Sequence, residues 1–241
     1  MVKHCKMLHI KNLGIYYGGF SAAVSDVEFG PGIHVMLGEN GSGKSSVLTG
    51  ITGYNMPVIT ERELEYNGVP LDRTADYISY LPQQNVPFQI TVEDFIQMTA
   101  SIRLPKKDVN GTLKEFGLEQ FRNTAADNLS GGEFKRALRA QLHLEDKPVM
   151  MFDEIEQGLD INYQHLVMNW LKQLSSEKVI IMAMHDLNLA LSYADTVTCM
   201  KKGTLTEVKV PVREVNEKML AETFSREMKI IHHDGKVIAL S

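Results

Sequence analysis

The chain has 241 residues, of which 44% are hydrophobic, and a formal net charge of −5 at neutral pH. A chain of this length can bury one substantial core, so we expect one α/β domain with a smaller lobe rather than two independent domains. The acidic balance argues against nucleic acid as a partner, and no apolar run approaches the length of a membrane span. Two cysteines, Cys5 and Cys199, are too few for a disulfide framework. We therefore expect buried or incidental thiols and a cytoplasmic location.

The chain begins with two predicted antiparallel strands. Apolar and polar residues alternate over residues 9–17 and 22–29, and Gly18-Gly19 between them predicts a turn. Tyr17 lies at the end of the first strand. An aromatic side chain at this position could stack on an adenine ring, or it could simply pack within the sheet.

A short apolar run over residues 33–37 leads into Gly38-Glu39-Asn40-Gly41-Ser42-Gly43-Lys44-Ser45, which fits the phosphate-binding pattern G-x-x-x-x-G-K-[ST]. The glycines let backbone amides turn onto an anion, and Lys44 can reach the β- and γ-phosphates. The Ser45 hydroxyl is placed to ligate Mg²⁺, with Ser46 as the weaker candidate. A predicted helix from Ser45 to Thr52 would add its N-terminal dipole. The stretch predicts a nucleotide site.

The middle of the chain changes from strands to helices. Residues 64–71 and 77–81 read as short strands, and Pro82 ends the second. From residue 83 to 145 the periodicity is helical, with a capping signal at Thr91 and Asp94 and further segments near 113–116 and from Gly131 onward. We expect a single domain over residues 1–241. Its catalytic core would comprise about 1–82 and 147–241, and a helical subdomain would occupy about 83–146.

Two later apolar strands end in chemically active residues. The run over 149–152 leads to Asp153-Glu154, and the run over 178–184 leads to His185. Because ligands of open α/β sheets bind beyond the carboxyl ends of the strands, we expect these residues to meet the phosphate loop. Asp153 would hold Mg²⁺. Glu154 would orient or deprotonate a water, unless it is an ordinary surface glutamate at a strand end.

The remaining predicted elements are structural. Leu166, Trp170 and Leu174 share one stripe of a predicted helix, so we expect Trp170 to lie in the core rather than to bind a ligand. The chain should end in a hairpin over residues 228–240, turned at Asp234-Gly235.

One more motif indicates the class of protein. The stretch Leu129-Ser130-Gly131-Gly132-Glu133 precedes the Asp153 strand, and its serine and glycine amides could receive a γ-phosphate at a helix N-terminus. Alone it would be a flexible turn. Together with the phosphate loop, Asp153, Gln83 and His185, it resembles the signature of the ATP-binding-cassette (ABC) ATPases. The resemblance covers essentially the whole chain. It implies a P-loop NTPase core with an antiparallel β subdomain and an inserted α-helical subdomain.

Within that family the chain looks most similar to ATPase subunits of importers for iron-siderophore, haem and vitamin B12. The stretches that carry this similarity are Tyr80-Leu81-Pro82-Gln83, Leu159-Asp160-Ile161, His185-Asp186-Leu187-Asn188-Leu189-Ala190, Tyr193-Ala194-Asp195 and Arg213-Glu214-Val215.

The resemblance also implies ligands and partners. ATP and Mg²⁺ would be the cofactors, with Gln83 as a further metal contact, His185 as the switch histidine and Asp160 near the nucleotide. Residues Ser130 to Glu133 would face the phosphate loop of a second protomer in a head-to-tail homodimer formed on ATP binding. Integral membrane permease subunits and an extracytoplasmic solute-binding protein would complete the assembly, at the inner face of the cell membrane.

Alternative functions remain at this point. An exporter subunit would share the same motifs, and so would a soluble cassette ATPase that moves no solute. A non-hydrolysing regulatory cassette would lose its glutamate or histidine, but Glu154 and His185 are present. The chain departs from the family at Ile155 and Glu156, where relatives usually carry proline and a small hydroxyl residue. The sequence therefore leaves open the geometry between Glu154 and Asp160.

Overall fold

The structure is a computed structural model that describes residues 6–54, 58–100, 106–233 and 236–240. These residues form two compact units: one contains the described residues up to Gln83 and from Pro148 onward, and the other spans residues 84–147. Helices and strands alternate along much of the chain, as expected for an α/β fold. No helix of the described residues is both long enough and apolar enough to cross a membrane.

The strands and helices are numbered in chain order. The strands are β1 (Leu8–Tyr17), β2 (Phe20–Phe29), β3 (Gly32–Leu37), β4 (Val58–Tyr66), β5 (Val69–Pro70), β6 (Ile78–Leu81), β7 (Val149–Asp153), β8 (Val179–Ala183), β9 (Thr196–Lys201), β10 (Thr204–Pro211), β11 (Lys229–His233) and β12 (Lys236–Leu240). The α-helices are α1 (Lys44–Thr52), α2 (Val92–Gln97), α3 (Lys106–Glu115), α4 (Gly131–Glu145), α5 (Ile161–Leu174), α6 (Leu187–Tyr193) and α7 (Glu217–Phe224).

A four-stranded antiparallel sheet has the order β2-β1-β4-β5. In β1 the side chains of Leu8, Ile10, Leu13 and Ile15 are buried, and most residues between them are more exposed. This alternation follows from the two-residue period of a strand, with one face of the sheet against the core. The prediction of paired strands joined at Gly18-Gly19 is confirmed.

A six-stranded sheet forms the centre of the larger unit, with the order β10-β9-β3-β8-β7-β6. All its neighbouring strands are parallel except the edge pair β10 and β9. Every residue of β3, β7 and β8 is buried, which is why these strands read as continuous apolar runs. Asp153 pairs with Ala183, so β7 and β8 end side by side. The segments that follow β3, β7 and β8 therefore emerge at one edge of the sheet.

Helix α1 belongs to one cluster of buried apolar side chains that also includes residues of both sheets. The helix contributes Val47, Leu48 and Ile51, each at most 2% exposed. Burying a side chain of this size stabilises the fold by about 1.5–3 kcal/mol. The core thus fixes α1, and with it the loop that precedes it.

The second unit contains α2, α3 and α4. Thr91 caps α2 by accepting the Asp94 amide at 3.1 Å, as the sequence predicts. The rings of Phe95 in α2 and Phe134 in α4 lie 5.4 Å apart between centroids and are tilted by 48°, so the two helices are in aromatic contact.

The end of the chain forms the hairpin of β11 and β12. The predicted turn at Asp234-Gly235 lies outside the described residues. Asn188 of α6 holds β12 with two bonds to Ala239, donating to its carbonyl at 3.1 Å and accepting its amide at 2.8 Å. The tail is thereby tied to the helix that follows His185.

One sequence prediction at this level is wrong, and one is confirmed only in part. The strand expected over residues 64–71 is interrupted because Asn67 and Gly68 adopt positive φ angles of 55° and 75°, which turn β4 into β5. The buried face of α5 is formed by Val167, Met168, Trp170 and Leu171, whereas Leu166 is 48% exposed. Trp170 is in the core as expected, but the buried stripe is rotated away from Leu166.

Cys199 is a buried free thiol, and burial raises its pKa to about 11. Cys5 lies outside the described residues.

Candidate active site

A cavity of about 490 Å³ opens at the edge of the central sheet where β3, β7 and β8 end. It is lined by Tyr17, Phe20, Asn40, Gly41, Gly43, Lys44, Ser45, Ser46, Gln83, Glu154, Gln157 and His185. Phosphate-loop residues and the side chains that follow two other strands therefore share one cavity. This is the convergence that the sequence predicts.

The loop needs glycine at two positions for different reasons. A Cβ at Gly38 would overlap the backbone carbonyl oxygen of Met200, which cannot move aside as a flexible side chain would. Gly43 has φ of 110°, a left-handed conformation that residues with a Cβ rarely adopt. The loop shape thus depends on close packing against β9 and on left-handed backbone.

Helix α1 begins at Lys44 without a side-chain cap, because its N-cap residue is Gly43. By contrast, Thr91, Ser130, Asp160, Asp186 and Asn216 each cap a helix of this chain with their side chains. The first-turn amides of a helix lack intrahelical partners, and the helix dipole adds partial positive charge there. The start of α1 is therefore suited to an anionic group.

Lys44 is the cation of the cavity wall. Its side chain is largely buried and donates from Nζ to the carbonyl oxygens of Gly38 at 2.8 Å and Glu39 at 3.2 Å. Burial lowers the pKa of the Lys44 ammonium group, and the neighbouring carboxylates Glu154 and Asp153 partly oppose this shift. The ammonium group is thus held by its own loop, close to the carboxylates.

Ser45 and Asp153 are hydrogen-bonded to each other beside the phosphate loop. The Ser45 hydroxyl donates to Asp153 Oδ1 at 2.9 Å. Asp153 is 5% exposed, and burial raises the pKa of its carboxyl group while the bond from Ser45 opposes the shift. Hydroxyl and carboxylate oxygens are the protein ligands that suit Mg²⁺.

Glu154 is held by both its backbone and its side chain. It follows β7 with a left-handed φ of 53°, and its amide donates to the Ala183 carbonyl of β8 at 3.0 Å. Its side chain is almost fully buried yet reaches the cavity lining. A carboxylate so placed has a fixed position relative to the phosphate loop.

Three side chains converge on the Glu154 carboxylate. His185 Nε2 contacts Oε1, and both Gln83 and Gln157 donate their amide groups to Oε2, the former at 2.6 Å. Gln83 also donates to Gln157 Oε1 at 3.1 Å. The predicted Q-loop glutamine, the predicted switch histidine and the predicted base are therefore in direct contact.

Two aromatic residues from the β1 and β2 hairpin reach the cavity. Tyr17 is 65% exposed, so it is not packed within the sheet. Phe20 lies over Gly43 and next to Met200. The exposed ring of Tyr17 is available for stacking on a flat ligand group.

The other predicted site residues do not line the cavity as the described residues define it. Gly38, Glu39 and Ser42 are part of the phosphate loop, and Asp153 accepts the hydrogen bond from Ser45. Asp160 is an exposed N-cap of α5 that accepts the Tyr163 amide at 3.0 Å.

The signature residues belong to the helical unit. Ser130 caps α4 by accepting the Glu133 amide at 3.4 Å, and Glu133 Oε2 accepts the Ser130 amide at 2.8 Å in return. Gly131 and Gly132 form the first turn between them. The Ser130 bonds lower the pKa of the Glu133 carboxyl group. This capping box presents the start of α4 as a rigid unit.

Two residues of the site were not singled out in the sequence. Phe20 could have been suggested by its position directly after the Gly18-Gly19 turn, opposite Tyr17. Gln157 lies in an irregular segment, three residues after Glu154, and no periodic pattern points to it.

A phosphate loop at the start of a helix, a buried carboxylate behind its serine and a constrained glutamate define a phosphate-loop nucleotide hydrolase. The family model described as "ABC transporter" matches residues 26–157, which is more than half of the chain. The chain belongs to the ABC transporter family. It is the ATP-binding subunit of such a transporter, an ATPase whose hydrolysis is coupled to transport.

Similar proteins cover the chain from end to end. The manganese transport system ATP-binding protein MntB of Halalkalibacterium halodurans is 26% identical over 98% of each chain. The hemin import ATP-binding protein HmuV of Vibrio cholerae is 27% identical over 83% of each. A solved metal-chelate type ABC transporter in an inward-facing conformation shares the fold, with a TM-score of 0.75, 21% identity and coverage of 97% of this chain and 96% of that one. The resemblance to the cassette ATPases and the predicted fold class are thus confirmed.

Proposed function

We propose that this chain drives the import of a metal ion or a metal chelate such as haem or a ferric siderophore. The observation that carries the proposal is the similarity to ATP-binding proteins named for manganese transport and hemin import, over 98% and 83% of this chain. The solute itself would be selected by other subunits, since the cavity of this chain is built around a phosphate loop.

The residues of the cavity have distinct proposed roles. The phosphate loop, with Asn40, Gly41 and Lys44, would hold the phosphates of ATP, and Tyr17 would stack on its adenine. Glu154 would orient or deprotonate the attacking water. His185 would contact the γ-phosphate and report its presence to Glu154, which it already touches.

Mg²⁺ fits the donor set at the base of the loop. Ser45 and Asp153 offer two adjacent oxygens, and Gln83 could supply a third. Within the described ranges, no cluster of three or more His, Cys, Asp or Glu side chains could hold a metal. The ion would therefore bind together with phosphate oxygens, and it would neutralise their charge during hydrolysis.

The assembly has further proposed members. Residues Ser130 to Glu133 would complete the site of a second protomer in a head-to-tail homodimer, with Asp160 near the same interface. Permease subunits in the membrane and an extracytoplasmic solute-binding protein would complete the transporter, which places this chain at the inner face of the membrane. On this reading residues 84–147 form a subdomain within one cassette domain, and their role is to contact the permease.

Transport by the assembled complex tests the proposal. The chain would be co-expressed with the membrane subunit encoded beside its gene and reconstituted into vesicles that enclose ATP and Mg²⁺, with the solute-binding protein supplied outside them. We expect ATP-dependent accumulation of manganese, hemin or a ferric siderophore inside the vesicles, on the side where this chain binds ATP. Solute movement in the opposite direction would identify an exporter. No ATP-dependent movement of any of the three solutes would contradict the proposed substrate class.

A further inference from the structure

Glu156 is a buried carboxylate beside the active site, at a position where the sequence departs from the family pattern. It is 4% exposed and lies two residues after Glu154, in the segment between β7 and α5. Its Oε1 accepts the backbone N–H of His185 at 2.8 Å, across 29 positions of sequence. The bond therefore joins the segment after β7 to the segment after β8.

This bond holds the backbone from which the His185 side chain projects. His185 lies between the end of β8 and the start of α6, and the preceding residue, Met184, donates to the Met36 carbonyl of β3 at 3.3 Å. The His185 side chain itself is 32% exposed, so packing alone does not fix it. Its Nε2 nevertheless reaches Glu154 Oε1. The direction of the imidazole depends on how its backbone is held.

The segment that carries Glu156 is itself well anchored. The Gln157 amide donates to the Glu154 carbonyl at 3.1 Å, and the Leu159 amide donates to the Glu156 carbonyl at 3.3 Å. Gln164 of α5 also donates to the Glu156 carbonyl, at 3.2 Å. The carboxylate therefore projects from a backbone fixed at both ends, as a positioning group requires.

We propose that Glu156 is a positioning residue for ATP hydrolysis, which holds the His185 backbone so that the imidazole meets Glu154 and the transferred phosphate. The inference rests on the proposed role of His185. Glu156 is not itself among the residues that line the cavity, and the lining residue it bonds is His185, so we expect its effect to pass through His185.

Substitutions of Glu156 that keep or remove its hydrogen-bond acceptor distinguish the positioning role from a role of its negative charge. Glu156→Gln keeps an oxygen at Oε1 that can accept the His185 amide. Glu156→Met keeps the length but removes the acceptor, and Glu156→Ala removes both. We expect kcat for ATP hydrolysis by the full chain to fall about tenfold or more in the Met and Ala variants, because small misplacements of catalytic groups are costly. KM for ATP should change little, and the Gln variant should retain most of kcat.

Two further measurements test whether the effect passes through His185. In a His185→Ala background, Glu156→Met should cause no additional loss of kcat, since the group it positions is absent. Hydrogen exchange at the His185 amide should be faster in the Met and Ala variants than in the wild type and the Gln variant. Thermal unfolding of each variant verifies that it is folded, and the Ala variant serves if the Met variant is not.

The results of these experiments distinguish a failure of the Glu156 proposal from a failure of the proposed role of His185. If His185→Ala impairs hydrolysis but the Met and Ala variants keep the wild-type kcat, the positioning role of Glu156 is wrong and the role of His185 stands. If the Gln variant loses as much as the Met variant, the charge and not the hydrogen bond matters, which also overturns the inference. A His185→Ala variant with wild-type kcat would overturn the proposed role of His185 itself.

Discussion

The backbone at Glu154 is left-handed, a conformation that costs a residue with a Cβ about 1–3 kcal/mol. The fold holds it there through the bond from its amide to Ala183 and through the buried strand that precedes it. Strain of this kind is common at active sites because it aims a side chain that relaxed backbone would direct elsewhere. Here it aims a carboxylate toward His185, Gln83 and Gln157.

Burial of the Glu156 carboxyl group also affects the stability of the folded protein. Burial raises the pKa of its carboxyl group above the ordinary value of 4.5, although the bond from the His185 amide opposes the shift. A raised pKa means that protonation favours the folded state, so this contribution to stability is present at low pH and is lost as pH rises through the folded-state pKa. The ionised carboxylate therefore destabilises the protein at neutral pH.

We accordingly predict that Glu156→Gln raises the midpoint of thermal unfolding at pH 7.5. The gain over the wild type should shrink as the pH is lowered toward 4.5, because the wild-type carboxyl group is then protonated. Parallel melting curves at several pH values measure this difference. Glu177→Gln, at an exposed glutamate, is the control and should show no such trend. A gain that is absent or independent of pH would contradict the assignment of a destabilising charge.

The sequence predicts those site residues that belong to a motif with fixed spacing. It does not predict the residues that reach the cavity only through the packing of the fold. Lys44, Ser45 and Asp153 follow from the phosphate-loop pattern and from an apolar strand that ends in a carboxylate. Phe20 and Gln157 reach the cavity only because a hairpin and an irregular segment fold over it. Gln157 belongs to no pattern with a fixed period, and the only sequence signal for Phe20 is its position directly after the Gly18-Gly19 turn.

At the scale of elements, strongly periodic segments were predicted correctly and their ends or faces were not. Asn67-Gly68 is a strong hairpin signal and does turn the chain, but the apolar residues on either side of it also fit one continuous strand. In α5, the helical spacing of apolar residues is compatible with a buried stripe that includes Leu166. The packing of the sheet instead selected a face rotated toward Val167.

The segment between β6 and α2 presents an exposed apolar patch formed by Val86 and Phe88, which are 75% and 51% exposed. Residues of this kind in an irregular segment are typical of a partner site. Gln83 precedes the patch by a few residues and contacts Glu154, so movement of a bound partner could be transmitted to the site. We propose that this patch docks the membrane permease.

We predict that Phe88→Asp prevents co-purification with the permease and leaves ATP binding by the isolated subunit unchanged, because a charge in the patch disfavours apolar contact. Val69→Asp is the matched control, since Val69 is 56% exposed on the edge strand β5. That control should still co-purify. Assembly and transport by the Phe88→Asp variant at wild-type levels would place the docking site elsewhere.

At the scale of the whole molecule, the proposed site is complete only in a dimer. Lys44 is on the phosphate loop, and Ser130 starts α4 in the other compact unit of the chain. In the proposed head-to-tail arrangement they contact the same ATP from different protomers.

We therefore predict that Lys44→Ala weakens ATP binding by the monomer, whereas Ser130→Arg leaves this binding intact and abolishes ATP-dependent dimerisation. Because Ser130 also caps α4, Asn216→Ala, which removes the corresponding cap from α7, controls for the loss of a cap and should dimerise normally. Equilibrium binding of a labelled ATP analogue and sedimentation velocity give the two readouts. Loss of monomer binding in both Lys44→Ala and Ser130→Arg would refute the shared site.

Glu154 is the residue that we propose activates water for ATP hydrolysis. The decisive comparison is between the wild-type chain and Glu154→Gln, since glutamine keeps the shape and cannot take a proton. ATP hydrolysis and ATP binding would be measured on the same preparations, with Glu177→Gln as a surface control. We expect the hydrolysis rate of Glu154→Gln to fall by about 100-fold or more, with ATP binding retained and ATP-bound dimers accumulating. Hydrolysis by Glu154→Gln at close to the wild-type rate would contradict this account.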